Sequence, residues 1–456
     1  MRSLSAKTAA TSLLAILWAA TIALNWPGHL SNDSVIELLE GRAARYESWH
    51  PAITSWLLGF ADFLHRGTGL FIAFDITLLY AALLLLVRMR ERTSWLALVA
   101  IVLAAATPQF VLYPALVWKD VLFAEATVAG FACLAFAAAR WQRPQQRFAF
   151  ILLSILLLTL AALTRQNGIV SSLMAAPAYA FVARKNAVPL RASLVQALVF
   201  LIALIATFAL ATTALNQRGD GGKGRADEIK MLQLYDFTAA AANAPQLRFD
   251  DLEQGAPTFD RLIRTDGARL YTPERVDTLQ KSQRLSDARD DTPLWLTTTQ
   301  WRHLIAQHSL LYLKNRAEIF RWAFLTPDIE ACVPFLVGVS GPPATLRALD
   351  MPARYDNRDA ALETYAQNFV GTPIFSHAFF AVLGLAAAII LLRRWSPSDI
   401  AIVFLLAAAG MFTLTFFAIS LACDYRYLYL LDMAAIIGAL HAILGANTDR
   451  KFARRS

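Results

Sequence analysis

The chain has 456 residues, of which 57% are hydrophobic and only 17% are charged. Soluble domains carry about 25% charged residues, so this composition excludes an ordinary soluble protein and indicates several membrane-spanning segments. Three cysteines exclude a disulfide scaffold, although Cys332 and Cys423 can pair if both face an oxidising compartment. The formal net charge of +8 fits either nucleic-acid binding or basic loops on one side of a membrane.

Ten apolar stretches are close in length to the roughly 20 residues that a helix needs to cross a bilayer. They lie at residues 8–26, 69–87, 96–115, 121–139, 148–164, 168–183, 192–215, 374–392, 399–420 and 427–444. A further apolar segment, residues 51–64, is too short to span comfortably and is placed at the membrane surface. The pattern predicts an all-α polytopic membrane protein with about ten transmembrane helices.

The basic residues fall mostly on one side of this topology. One face collects Arg2, Lys7, Arg88, Arg90, Arg92, Arg140, Arg143, Arg147, Arg184, Lys185, Arg191, Arg393, Arg394, Arg450, Lys451, Arg454 and Arg455. The short loops of the other face hold only Arg42, Arg45, Arg66, Lys119, Arg165 and Arg426. The positive-inside rule then makes the first face cytoplasmic, with both termini on that side. Topology explains the positive charge, and we expect no nucleic-acid partner.

Three modules follow from this arrangement. Residues 1–216 form a transmembrane module of seven spans, and its first outer loop, residues 27–68, is expected to carry helices beside the membrane. The start of the chain is also typical of a signal peptide, but its apolar run continues for a full span, which favours an anchor. Residues 217–372 are too many for a structureless loop and predict a mainly helical periplasmic domain. Residues 373–456 form three more spans and a basic cytoplasmic tail.

Three acids lie inside predicted spans, namely Asp75, Glu125 and Asp432. Each is five or six residues from the outer end of its span, which corresponds to a depth of roughly 8–9 Å. An ionisable side chain in a span indicates a function unless it has a structural partner. For each acid alone, an ion pair at a helix end is the simpler explanation. Their shared depth and side predict a polar, substrate-binding cavity that opens outward.

The outer loops supply complementary charges on the same side of the membrane. Lys119 and Asp120 stand in V-W-K-D-V, Arg165 in L-T-R-Q-N-G, and Arg426 in C-D-Y-R-Y-L-Y. In the first outer loop, Asp33 comes at the start of a short amphipathic helix, where it either caps the helix or takes part in chemistry.

The layout of these residues resembles that of the GT-C glycosyltransferases, bacterial members of which use polyprenyl-phosphate-linked sugars. The shared features are Asp33 just after the first span, paired juxtamembrane helices, a second acid at Asp120, and a large outer domain after the seventh span. The resemblance covers residues 1–215 best. One departure is His50, which stands before Pro51 where the family usually has a basic residue, so no lysine role is carried over to it.

The resemblance implies hexosyl or pentosyl transfer, with inversion, from a polyprenyl-phosphate donor to an extracytoplasmic glycan, lipid or protein acceptor. It implies a multi-pass protein of the inner membrane of the cell envelope, with its active site facing the periplasm. Asp33 is the expected general base, and Asp120 and His50 are further catalytic candidates. The expected phosphate ligands are the cations Lys119, Arg165 and Arg426.

Three questions remain open at this level. Asp33, Asp120 and His50 are possible metal donors, but no compact ligand motif is present, so we expect no cofactor without excluding a divalent metal. A polymerase or ligase of an envelope polysaccharide, such as lipopolysaccharide, would use arginines and a histidine without Asp33. A transporter or flippase of a lipid-linked substrate would need a path to the inner face.

Overall fold

The computed structural model describes residues 5–91 and 93–452, with side chains up to residue 445. Arg2, Arg92, Arg454 and Arg455, which contribute to the charge argument above, lie outside the described residues, and so do the side chains of Arg450 and Lys451. Within the described ranges the protein is all-α, and its only extended pairings are isolated bridges.

Eleven helices make up the first 216 residues. They are α1 (Ala6–Asn25), α2 (Asn32–Ala43), α3 (Ala52–Leu64), α4 (Gly69–Met89), α5 (Trp95–Ala105), α6 (Pro108–Val111), α7 (Lys119–Ala139), α8 (Pro144–Thr164), α9 (Ile169–Leu173), α10 (Ala175–Lys185) and α11 (Leu190–Asn216).

Twelve more helices follow. They are α12 (Lys223–Asn243), α13 (Asp250–Gly255), α14 (Pro257–Leu262), α15 (Ala268–Leu270), α16 (Gln283–Asp291), α17 (Leu294–Gln307), α18 (Ser309–Leu325), α19 (Pro343–Ala348), α20 (Asn357–Gln367), α21 (His377–Arg394), α22 (Pro397–Ile419) and α23 (Tyr429–Phe452).

Among the described residues, eight helices are long and apolar enough to cross a membrane. They are α1, α4, α7, α8, α11, α21, α22 and the segment Tyr425–Gly445, which joins a 3-10 turn to most of α23. The protein is therefore an all-α polytopic membrane protein, as predicted. Helix α3 is apolar but has only 13 residues.

The remaining two predicted spans are interrupted, and a proline lies next to each break. Helix α5 and the segment Pro108–Ala115 are bent by 79° and together give a ninth candidate span. Thr107 is extended because the ring of Pro108 disfavours helical backbone at the residue before it. Helices α9 and α10 are separated at Met174, and among the described residues they do not count as a candidate span either singly or together. Pro177 lacks the N–H that would bond to the carbonyl of Leu173, which weakens the helix there.

Helix α7 lies at the centre of the bundle. Its span is 94% buried, and it packs against α4, α8, α22 and α23. Small residues allow these close approaches. At Gly130, for example, an added Cβ would lie 2.7 Å from the Cγ of Leu158 in α8. Because α7 and α8 are antiparallel neighbours, the first residues of α7 lie beside the last residues of α8.

Helices α2 and α3 form a tight pair next to the bundle. An added Cβ at Gly41 would come within 2.2 Å of the carbonyl oxygen of Ser55, so glycine is required for this crossing. Arg42 donates two hydrogen bonds to Asp62 of α3, at 2.8 and 2.9 Å. The pair holds the start of α2 against the start of α7.

Residues 217–372 contribute to two hydrophobic cores. Buried side chains between Met231 and Ile319 form a core of their own, against which Trp49 of the first loop packs. Val339, Leu346 and Leu349, by contrast, belong to the core of the helical bundle. The second half of this segment is thus built onto the bundle, while its placement outside the membrane stays a prediction.

A disulfide between Cys332 and Cys423 ties this segment to the start of the last span. Beside it, Tyr425 N–H donates to the carbonyl of Cys332 at 2.8 Å, and Cys423 N–H donates to that of Glu274 at 2.8 Å. Disulfides persist in oxidising compartments, so this bond favours an extracytoplasmic position for both segments.

Candidate active site

A cluster of charged side chains lies where α2, α7, α8 and the last span meet. Arg426 donates to Asp33 at 2.8 Å, and its Nε lies 3.8 Å from the Oδ2 of Asp120. Arg165 forms an ion pair with the other oxygen of Asp120. Residues far apart in the chain are thereby joined in one network.

The local structure of each element explains this convergence. Ser31 is the N-cap of α2 and forms a capping box with Ser34, so capping leaves the carboxylate of Asp33 available. Asp33 and Asp120 both lie in first turns, where the helix dipole favours negative charge. Arg165 directly follows the end of α8 in an extended conformation, which carries its side chain toward Asp120.

Aromatic rings hold the two arginines in place. The guanidinium of Arg165 lies 5.4 Å from the ring centre of Phe416 and 5.3 Å from that of Tyr427. The guanidinium of Arg426 lies 5.0 Å from Trp118 and 5.6 Å from Tyr427. Cation–π contact fixes a guanidinium without neutralising it, so the rings position both arginines in addition to the carboxylates with which they pair.

Asp33 is the most accessible acid of the cluster. Its side chain is 33% exposed, whereas that of Asp120 is 2% exposed. Burial raises the pKa of Asp33, but the positive charge and hydrogen bond of Arg426, together with the electrostatic effects of His50 and Lys119, outweigh burial and leave the pKa below its ordinary value. Asp33 is therefore ionised at neutral pH and reachable from solvent, as a general base requires.

Lys119 and His50 form a second pair beside this network. The ammonium of Lys119 donates to the Nδ1 of His50 at 2.7 Å. Burial, followed by the nearby charge of Lys119, lowers the pKa of His50 to about 3, so the imidazole is neutral. The structure thus brings together the catalytic candidates Asp33, Asp120 and His50 with the cations Lys119, Arg165 and Arg426.

A cavity of about 390 Å³ reaches this cluster through His50 and Arg165. Its polar end also includes Gln166 and Arg225, and its apolar side is formed by residues of three helices, among them Ile53, Leu163, Phe208 and Leu215. Phe208 and Leu215 belong to the spanning helix α11. The cavity therefore extends from a charged cluster to an apolar wall at the level of the membrane spans.

The three acids predicted inside spans lie elsewhere, in the core of the bundle. Asp75, Glu125 and Asp432 are each at most 1% exposed, and the cavity lining does not include them. Tyr429 lies 3.5 Å from Glu125, which adjoins Asp75. Asp432 pairs with His377 at 2.9 Å. Their role in substrate binding stays a prediction, since each has a structural neighbour.

The cluster also contains polar residues that the sequence analysis did not propose as site residues. Glu37 lies one helical turn after Asp33, with its Oε1 3.6 Å from the Nδ1 of His50. Asp424 bridges Arg426 at 3.3 Å and Arg275 at 3.0 Å. Glu228 accepts from Gln166 at 2.6 Å. Glu37 had a visible signal, because a spacing of four residues places it on the same helix face as Asp33. Asp424 stands in the C-D-Y-R-Y-L-Y segment that also contains Arg426.

Metal ligands do not assemble in the part of the chain that the structure describes, where no group of three His, Cys, Asp or Glu side chains has a metal-binding arrangement. Asp33 and Asp120 are instead bonded to arginines. The absence of a cofactor stays a prediction.

A second charged cluster lies at the opposite end of the bundle. Asp399, in the first turn of α22, accepts from Arg394 and from His441, each at 2.9 Å. Its side chain is 1% exposed. A cavity of about 390 Å³ nearby is lined by Arg90, Arg140 and other residues, but by no Asp or Glu.

Comparison with known proteins gave a match to a solved structure but none to a family model or a curated protein. A similar solved structure is that of the archaeal oligosaccharyltransferase AglB from Archaeoglobus fulgidus in complex with an inhibitory peptide and a dolichol-phosphate. It is 15% identical, with a TM-score of 0.42, and the match covers 98% of this chain and 51% of that one. The chain thus spans about half the length of that protein.

Proposed function

We propose that this protein is a membrane glycosyltransferase that transfers a sugar from a polyprenyl-phosphate donor to an acceptor on the outer side of the membrane, with inversion. The observation that carries the proposal is the accessible carboxylate of Asp33 beside the cations Lys119, Arg165 and Arg426, in a cluster whose Arg165 and His50 line a cavity with an apolar wall. A polyprenyl chain needs the apolar wall, a phosphate needs the cations, and an acceptor hydroxyl needs the base.

In the proposed reaction, the acceptor oxygen forms a bond to the anomeric carbon while the bond from that carbon to the phosphate oxygen breaks. The electron pair of the broken bond stays on the phosphate. Asp33 takes the hydroxyl proton, and Lys119 and Arg165 stabilise the charge that develops on the leaving phosphate. Burial lowers the pKa of Arg165 only to about 10, so its guanidinium remains charged at neutral pH. Arg426 orients Asp33 and Asp120 through its contacts with both.

The proposal also includes the compartment, the orientation in the membrane and the class of acceptor. The compartment is an inner membrane with both termini cytoplasmic, and the site faces the periplasm. The acceptor is an envelope glycan, a lipid or a protein. The disulfide near Arg426 supports an oxidising environment on the side of the site.

Replacement of Asp33 by Asn tests the proposal directly. We expect sugar transfer to fall at least about 100-fold in membranes supplied with polyprenyl-phosphate sugars, because a general base contributes about that factor or more. Asp250→Asn, at a side chain that is 72% exposed, is the matched control and should retain full activity. Full activity of Asp33→Asn would contradict the assignment of the base.

A transporter or flippase of a lipid-linked substrate is the second candidate, because two spans are interrupted at residues 106–107 and at Met174. Interrupted helices often line substrate sites in transporters. Proteoliposomes that hold a fluorescent lipid-linked sugar separate the two functions. Transfer without movement of the lipid across the bilayer supports the glycosyltransferase. Movement that persists in Asp33→Asn, without transfer by the unmodified protein, supports the transporter.

A further inference from the structure

Glu37 occupies a position that the proposed chemistry does not yet use. It lies four residues after Asp33 on α2, so both side chains project from the same face toward the start of α7. The residue is 1% exposed, and its Oε1 has no hydrogen-bond partner among the described residues. A buried carboxyl oxygen without a partner is costly, and much more so when it is ionised.

The neighbours of Glu37 explain why its oxygen lacks a partner. An ammonium group only donates hydrogen bonds, so the Nδ1 of His50, 2.7 Å from the Nζ of Lys119, must be the acceptor. Its proton then lies on Nε2. Because His50 is neutral in this arrangement, the 3.6 Å approach of Glu37 to Nδ1 is not an ion pair.

The balance of charge around the site depends on Glu37. Lys119, Arg165, Arg426 and Arg275 face the carboxylates of Asp33, Asp120 and Asp424, and Arg275 also pairs with Asp277 at 3.2 Å. With Glu37 neutral, four positive charges therefore face four negative ones. Ionisation of Glu37 would add a fifth negative charge next to Lys119, which disfavours an anionic donor.

We propose that Glu37 is a positioning residue that sets the charge of the phosphate site: protonated Glu37 leaves Lys119 free for the donor phosphate, and ionised Glu37 captures it. This inference rests on the proposed function, because it concerns donor binding at the same site. The proton that leaves Glu37 goes to solvent, and no bond to the donor is made or broken by this residue.

The electrostatic surroundings support a neutral carboxyl. Burial raises the pKa of Glu37 to about 8, and the positive charges of Lys119 and Arg426 oppose this shift, whereas the carboxylates of Asp33 and Glu40 add to it. His50 completes the set of titratable groups around it. Glu37 is thus protonated at pH 7 and largely ionised at pH 9.

The consequence is a loss of donor affinity at alkaline pH. If only the protein with protonated Glu37 binds donor well, the KM for the donor rises about tenfold between pH 7 and pH 9. In Glu37→Gln, which is neutral at every pH and has almost the same shape, this rise should disappear while kcat at pH 7 stays within about twofold of the original.

Glu40→Gln is the matched control, because Glu40 lies on the same helix and is also buried but bonds to Ser55 at 2.7 Å. We expect it to keep the alkaline rise in KM. Glu37→Met, which is also neutral, serves as a second variant if Glu37→Gln does not fold. An alkaline rise that persists in the neutral variants, for example through deprotonation of Lys119 itself, would overturn the proposal.

Binding measured without transfer separates this inference from the proposed function. Polyprenyl phosphate without a sugar is titrated onto the full-length protein in detergent between pH 7.5 and 9.5, above the second phosphate pKa of about 6. Weaker binding at high pH that is abolished in Glu37→Gln supports the charge control even if no sugar is ever transferred. Sugar transfer with an unchanged pH profile in Glu37→Gln supports the glycosyltransferase and rejects the role of Glu37.

Discussion

Two arginine–carboxylate clusters lie at opposite ends of the same bundle, and they differ in accessibility rather than in composition. At one end, Asp33 is 33% exposed beside a cavity, and Arg165 and Arg426 are held mainly through aromatic rings and shared carboxylates. At the other end, Asp399 is 1% exposed and accepts hydrogen bonds from Arg394 and His441. Only the first cluster offers both a base and cations to a ligand.

The cavities next to the two clusters make the same point. Each has a volume of about 390 Å³ and contains arginine in its lining. The cavity at the Asp399 end has no carboxylate in its lining, whereas the other cavity is lined by Glu47 and Asp220 and adjoins the cluster of Asp33 through His50 and Arg165. For the proposed reaction, the partly exposed Asp33 is available as a base, whereas the enclosed Asp399 is available only for contacts within the protein.

The largest expected effect is on stability, from Asp399→Ala. Removal of one partner from a buried ion pair leaves the other charge uncompensated, which costs about 3–5 kcal/mol. We expect the free energy of unfolding in detergent to fall by that amount, while activity per folded molecule is retained. Asp250→Ala, at an exposed ion pair, should change stability by no more than about 0.5 kcal/mol. A loss of activity in Asp399→Ala without a loss of stability would contradict the structural role of Asp399.

The next effect concerns Arg165, which the comparison assigns to chemistry. Lysine at this position keeps the charge but loses the planar group that stacks on Phe416 and Tyr427. We expect kcat/KM to fall about 100-fold, with little change in Tm. Arg394→Lys makes the same substitution in the enclosed cluster and should change kcat/KM by no more than about twofold. Equal effects on catalysis from the two substitutions would contradict the difference between the clusters.

The smallest expected effect is that of metal removal. Because Lys119 and Arg165 stabilise the charge on the leaving phosphate in the proposed reaction, treatment with EDTA should leave the initial rate within about twofold of the untreated rate. The control is the same buffer with divalent ions in excess of the chelator. A rate that falls with EDTA and returns with added Mg²⁺ or Mn²⁺ would show that the cluster needs a metal.

Much of the fold could be read from the sequence, because a bilayer imposes a simple length rule on apolar helices. Eight of the ten predicted spans are single helices. The two exceptions, next to Pro108 and Pro177, carried a signal that hydropathy alone ignores, since proline breaks helical hydrogen bonding without lowering hydrophobicity.

The site was partly predictable for a related reason. Lys119, Asp120, Arg165 and Arg426 could be grouped because they lie at the outer ends of spans, and Asp33 was added from the resemblance to the GT-C layout. The depth of a residue in the membrane does not tell which way its side chain points around the helix axis. For this reason Asp75, Glu125 and Asp432 were also predicted to line the outward cavity. The structure directs these acids into the bundle core, toward His377, Tyr429 or each other.

The last span contributes Arg426, which has a consequence for how the protein is made. Asp33 and Asp120 are synthesised early, but the cation that links them arrives only after more than four hundred residues have been translated. A chain that stops before its final membrane helix contains both acids and no completed site. The charged cluster of the proposed site is therefore complete only after the last membrane helix has been made.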